Sequence, residues 1–175
     1  LGSVITRNLL ENHNVTVMDN LMYNQTSLID LSNNKNFNFI YGDVRNYKLL
    51  IEQVMKHDVI IPLAGIVGFP SCEKDKQLAT QVNYNQIKDI VDNIHSNQRL
   101  LYPNTNSGYG SRGDGMVTEE DKLTPISHYG ITKCDAEDYI KNNSNGIIFR
   151  LATVFGISSR MRLDLLVNEF VYKLL

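Results

Sequence analysis

Apolar Val4, Ile5, Leu9 and Leu10 recur at helical spacing with charged and amide residues between them, which predicts an opening helix with one buried face. The period then shortens: "NVTVMDN" (14–20) is a β-branched run closing on Asp19, and "NFNFIYGDV" (36–44) a second strand closing on Gly42 and Asp43. "YKLLIEQVMKH" (47–57) returns to the helical period. "DVIIPLAG" (58–65) is almost continuously apolar, as in a strand buried on both faces. A helix is predicted through 78–97, a strand through "RLLYPNT" (99–105) and a glycine-rich loop through "NSGYGSRGDG" (106–115). A helix from about Tyr129 to Asn142 and a strand within 146–156 complete the pattern. Strands alternating with helices predict an α/β fold, a doubly wound parallel sheet with helices on both faces. No repeat and no linker interrupts the chain before about Gly156.

Composition narrows the classes. With 175 residues and 42% hydrophobic content the chain holds one compact core. A net charge of -2 provides no basic stripe for nucleic acid and no polybasic run for a membrane surface. No apolar run reaches the roughly 20 residues of a membrane span, and the first residues lack the design of a secretion signal, so a cytoplasmic location is expected. Cys72 and Cys134 are far apart, without metal-ligand spacing, and are expected as reduced thiols. Leu1 in place of an initiating Met, and the apolar helical pattern still running at "EFVYKLL", predict a fragment of a longer protein.

In such sheets ligands bind beyond the carboxyl ends of the strands. Gly2 is a candidate for the last glycine of a pyrophosphate-binding turn. Asp19 is then a candidate ribose ligand, which would favour NAD over NADP; the alternative is a turn or cap aspartate. Asp43 is either an acceptor for an adenine amino group, with Val44 beside it, or the cap of the helix beginning near Tyr47. Leu63, Ala64 and Gly65 put small residues where a backbone lies close to a ligand or to the next helix. Tyr129 and Lys133 share a helix face at i, i+4. Their pairing reads either as a half-buried Tyr beside a solvated Lys, or as an acid/base phenol whose pKa a fixed cation brings down from near 10. Thr105, a hydroxyl at a strand end 24 positions upstream, adds a third group to the second reading.

In order along the chain these segments resemble the extended short-chain dehydrogenase/reductases, the NAD-dependent nucleotide-sugar epimerases and dehydratases. "LGS" is similar to the end of that family's Gly-x-x-Gly-x-x-Gly turn, "VTVMDN" to its ribose-binding strand end with Asn20 after the acid, and "GDVRN" to its adenine-contacting segment. "PLAGIVG" and "QVNYNQ", with Asn83, match its fourth strand and following helix. "TNSGYG" matches its Ser/Thr-x-x-x-Tyr-Gly loop, and "PISHYGITKCDAE" its Pro-x-Ser-x-Tyr-Gly-x-x-Lys-x-x-x-Glu signature. "FRLATVFG" matches its Arg-x-x-Asn-Val-Tyr-Gly segment.

The resemblance implies a Rossmann-type NAD-binding domain over 1–156, lacking its first strand, and the start of a substrate-binding portion over 157–175. It implies catalysis by Tyr129, Lys133 and Thr105, with both Tyr129 and Lys133 also contacting NAD. Gly2, Asp19, Asn20, Asp43 and Val44, then Leu63 to Gly65 and Asn83, are the further cofactor contacts it implies. Ser107, Tyr109 and Thr153 are its substrate contacts, and a homodimer acting on a nucleotide sugar is the expected assembly. Ser127 is expected as a helix cap and Cys134 as packing. Thr153 stands where many relatives have Asn. Asn106 and Ser107 stand where 4,6-dehydratases carry Asp and Glu, which disfavours that reaction. A net dehydrogenase, reductase or decarboxylase, or a non-catalytic NAD(P)-sensing protein, are the alternatives.

Overall fold

The computed structural model describes residues 1–112 and 115–175; Gly113 and Asp114 of the predicted glycine-rich loop lie outside the described residues. All strand pairing among the described residues is parallel. β1 (Val15–Asp19) pairs with β2 (Phe37–Tyr41), Asp19 standing opposite Tyr41. β4 (Arg99–Thr105) lies between β3 (Val59–Ile60) and β5 (Ile147–Leu151). In the doubly wound order 3-2-1-4-5-6, strands 2 and 3 form one pair and strands 4 to 6 one triplet, joined only through strand 1. The described residues form one parallel pair, β1-β2, and one parallel triplet, β3-β4-β5.

The chain divides into two compact units, 1–43 with 153–175, and 44–152. In the first, α1 (Gly2–Leu9) leads into β1, and α7 (Leu166–Leu174) ends the chain. Buried Asn168 anchors α7: its amide donates to the Arg162 carbonyl at 2.9 Å and accepts from the Gly156 N–H at 3.1 Å.

In the second unit, α2 (Tyr47–Val54) is followed by α3 (Phe69–Lys74), α4 (Lys76–Thr80), α5 (Gln86–Asn93) and α6 (His128–Asn143). α5 packs on α2 and α6, and α6 on β4, burying Leu50, Val54, Ile87, Ile90 and Ile140. β4 alternates as a half-buried strand should, with Leu100, Tyr102 and Asn104 inward. Ser127 Oγ accepts from the Gly130 N–H at 3.1 Å, so Ser127 is the N-cap of α6, as expected.

Two expectations are corrected here. "DVIIPLAG" is not a long buried strand: only Val59 and Ile60 pair, and Val59 and Leu63 are exposed. Pro62 has no N–H to donate, so the ladder stops before it. The helix predicted through 78–97 is broken at Gln81–Asn85 into a π turn between α4 and α5. A π turn keeps nearly the same apolar period, so the sequence pattern does not betray it.

Candidate active site

The chemistry-bearing side chains of the second unit meet where β4 ends. Thr105 closes β4 and caps a short 3-10 turn, Asn106–Tyr109: its Oγ1 accepts from the Ser107 N–H at 3.1 Å and donates to Ser107 Oγ at 3.1 Å. Tyr129, on the first turn of α6, packs against the buried cluster of Ile66, Cys72, Ala79 and Val82. Burial pushes its pKa up, the nearby Thr105 hydroxyl pulls it down by less, and Cys72 adds to the rise. Lys133, one turn on, donates to the Pro103 carbonyl at 2.8 Å and lies 3.9 Å from the centre of the Tyr102 ring. Burial brings the Lys133 pKa down to about 7.

The structure therefore brings Tyr129, Thr105 and Lys133 into one neighbourhood but does not produce the expected lowering of the phenol pKa. Desolvation dominates, and the lysine ammonium is directed at β4.

The loop after β3 is held from beneath. Asn83, in the π turn, accepts from the Ile66 N–H at 2.9 Å and donates to the Ile66 carbonyl at 3.0 Å and to Thr132 Oγ1 at 3.4 Å. Gln86 donates to the Ala64 carbonyl at 2.8 Å. Asn83, expected as a cofactor contact, thus spends its amide on fixing the backbone beside Leu63, Ala64 and Gly65, leaving Leu63 and Ala64 exposed. Val44 packs on the same cluster as Tyr129.

Tyr109 is likewise corrected. It is buried, its hydroxyl donating to the Thr118 carbonyl at 2.9 Å and accepting from Arg150 Nη1 at 2.9 Å, so it braces the loop instead of facing a substrate. Arg150 also holds Glu137, a fully buried carboxylate that further accepts from Lys141 at 2.6 Å and Asn104 at 2.5 Å. Burial alone would raise the Glu137 pKa, but these donors outweigh it and leave it lowered. Ser107 is exposed. Cys134 packs as expected: a Cβ on Gly108 would lie 2.8 Å from its sulfur, so only glycine lets the loop rest on α6. Both cysteines are free thiols.

Sequence reasoning missed Tyr102, Gln86 and the Glu137–Arg150 pair. Glu137 and Arg150 do fall inside motifs that signalled the family resemblance, and their pairing across 13 residues is the kind of partnership a fixed Glu and Arg in neighbouring motifs can signal.

Asp19, Asp43, Gly2 and Thr153 belong to the first unit. Asp19 ends β1, and its Oδ1 accepts from the Leu21 N–H at 2.7 Å and from Gln25 Nε2 at 3.2 Å. Leu21 takes a left-handed φ of 51° to make that turn. Asp43 accepts from Asn20 Nδ2 at 3.1 Å. It is not the cap of α2; Asn46 is, accepting from the Leu49 N–H at 3.2 Å. Gly2 opens α1, which has neither a side-chain cap nor an acidic residue in its first turn. Thr153 is exposed.

Comparison with known proteins matches this arrangement to relatives. "Uncharacterized UDP-glucose epimerase YtcB" of Bacillus subtilis is 30% identical over 98% of this chain and 58% of its own length. The "Low-salt glycan biosynthesis protein Agl12" of Haloferax volcanii is 27% identical over 81% of this chain and 48% of its own. The chain spans about half the length of the curated relatives it matches. Among solved structures, the UDP-glucuronic acid 4-epimerase of Bacillus cereus in complex with UDP-glucuronic acid and NAD superimposes with a TM-score of 0.85 at 26% identity, over 99% of this chain and 59% of that one. The dTDP-glucose 4,6-dehydratase DesIV of Streptomyces venezuelae, with NAD bound, shares the fold at a TM-score of 0.84 and 23% identity, over 99% and 58%. A family model, "NAD dependent epimerase/dehydratase family", matches residues 1–173, and the chain belongs to that family.

Proposed function

We propose that the chain is the NAD-binding part of a nucleotide-sugar epimerase with Tyr129 as its acid/base. The observation that carries this reading is the Tyr129 phenol interacting with the Thr105 hydroxyl while Lys133 follows one turn along the same helix. The residues present suit NAD: the Asp19 carboxylate can accept from ribose hydroxyls and repels a 2′-phosphate, Asp43 can accept from the adenine amino group, and the uncapped first turn of α1 offers N–H groups to a pyrophosphate. Bound NAD supplies the acceptor and donor of hydride.

Tyr129, as phenolate, takes the proton from a sugar hydroxyl as hydride leaves the same carbon, and gives it back when hydride returns to the other face. Thr105 donates to the sugar oxygen as it becomes a carbonyl oxygen. Lys133 binds the cofactor ribose; with a pKa of about 7, its charge is fullest below neutral pH. Asn106 and Ser107, both exposed, supply no carboxyl group for a 4,6-dehydration, which favours epimerisation.

The test is Tyr129→Phe in the protein expressed from its complete reading frame, assayed on a panel of nucleotide sugars by NMR. Turnover is expected to fall by roughly 10²–10⁴-fold with NAD affinity unchanged. Wild-type turnover in the variant would overturn the mechanism. Stoichiometric NADH formation by the wild type would replace epimerisation with net oxidation.

A further inference from the structure

Tyr102 is fully buried, at 0% exposure, beneath the lysine, and its hydroxyl has no hydrogen-bond partner among the described residues. An orphaned buried hydroxyl is a net cost to the fold, so what this position contributes is the aromatic ring. The ring centre lies 3.9 Å from Lys133 Nζ, inside the range in which the negative face of an aromatic ring attracts a cation. The adjoining Pro103 carbonyl accepts from the same ammonium at 2.8 Å. β3 pairs with β4 only at Arg99 and Leu100, so at Pro103 no β3 ladder bond is lost to the missing proline N–H.

We propose that the Tyr102 ring and the Pro103 carbonyl form a fixed berth for the Lys133 ammonium, which makes Tyr102 a positioning residue for the cofactor-holding lysine. The proposal rests on the reading of Lys133 given above. The berth answers a physical need. Lys133 is buried enough that desolvation disfavours its charge, and among the described residues no carboxylate offsets this. Glu137 lies one turn further along α6 but is bound to Arg150, Lys141 and Asn104, while burial disfavours the anionic form of both Tyr129 on the same helix and Tyr102 on β4. A ring face and a carbonyl are what remain to keep the ammonium in place.

The test is calorimetric titration with NAD across pH, again on the protein from its complete reading frame, for wild type, Tyr102→Phe, a trifluorinated phenylalanine at position 102, and Lys133→Met. Fluorine strips the negative face from the ring while nearly preserving its shape. Wild type and Tyr102→Phe are expected to lose affinity together as pH rises through the Lys133 pKa. The fluorinated variant loses it about one pH unit lower, which is roughly fivefold weaker binding at pH 7. A fluorinated profile that overlays wild type, while Lys133→Met weakens binding, would overturn the berth, as would Tyr102→Phe behaving like the fluorinated variant. Lys133→Met binding NAD as wild type does would remove the underlying reading of Lys133, and the berth with it.

Discussion

Arg150→Met isolates the ion pair that ties β5 to α6. The Glu137 side chain is 0% exposed and that of Arg150 10%, with Nη2 to Oε1 at 2.6 Å and Nε 3.1 and 3.2 Å from the two carboxylate oxygens. Removing one partner of a buried pair costs about 3–5 kcal/mol, because the other charge stays buried without it. Lys141 and Asn104 still hold Glu137, so the cost belongs at the lower end, about 3 kcal/mol. For a chain of this size that lowers Tm by about 6–12 °C. The pH dependence carries a sign. In the wild type the Glu137 pKa is lowered in the folded state, so its stabilisation is full above the unfolded value, near 4.5, and is lost as pH falls through the folded one. In the variant only Lys141 and Asn104 still oppose burial, so that pKa rises above its wild-type value and less stabilisation is lost as pH falls. The stability gap must therefore narrow from pH 7 toward pH 4. Urea denaturation at a series of pH values reads it, and Glu137→Leu combined with Arg150→Met should restore part of the loss. A gap under about 1 kcal/mol at pH 7, or one that widens in acid, would refute the reasoning.

Two further substitutions probe other levels of the structure. Gly110 has φ 69°, and a Cβ there would sit 2.1 Å from the Thr124 carbonyl oxygen, so Gly110→Ala should cost about 3 kcal/mol or more, read as a shifted denaturation midpoint. Asp19→Ala should weaken NAD binding roughly 10–100-fold and narrow the preference over NADP, read by titration with each dinucleotide; unchanged affinity would remove Asp19 from the cofactor site.

What the sequence made legible was whatever is local. β4 was bounded correctly at Arg99 and Thr105, because the alternation of Leu100, Tyr102 and Asn104 ends at a glycine-rich turn. α6 was placed to within a residue or two because Ser127 caps it. The triad of Tyr129, Lys133 and Thr105 was found by spacing and family order, and the structure places them together. What stayed hidden depends on pairing across the fold. No spacing rule links Lys133 to a carbonyl 30 positions upstream, or tells that Tyr109 turns inward to Arg150. The burial of Glu137 had no signal because a charged side chain carries no mark of its own burial, and Pro62 was read through as part of an apolar run although it ends the ladder.

The π turn at Gln81–Asn85 makes this stretch intolerant of a change in length. Each helical residue advances the side-chain direction by about 100°. A π turn fits one more residue into nearly the same rotation, so deleting one residue between Asn83 and Gln86 would restore continuous α form with α5 still nearly in phase with α4, yet change the angle between Asn83 and Gln86 themselves. The two amides could then no longer seize Ile66 and Ala64 at once. Point substitutions here are graded in effect, whereas an insertion or deletion acts as an all-or-none slip, so among natural variants of this chain the segment should drift in composition while its residue count stays constant.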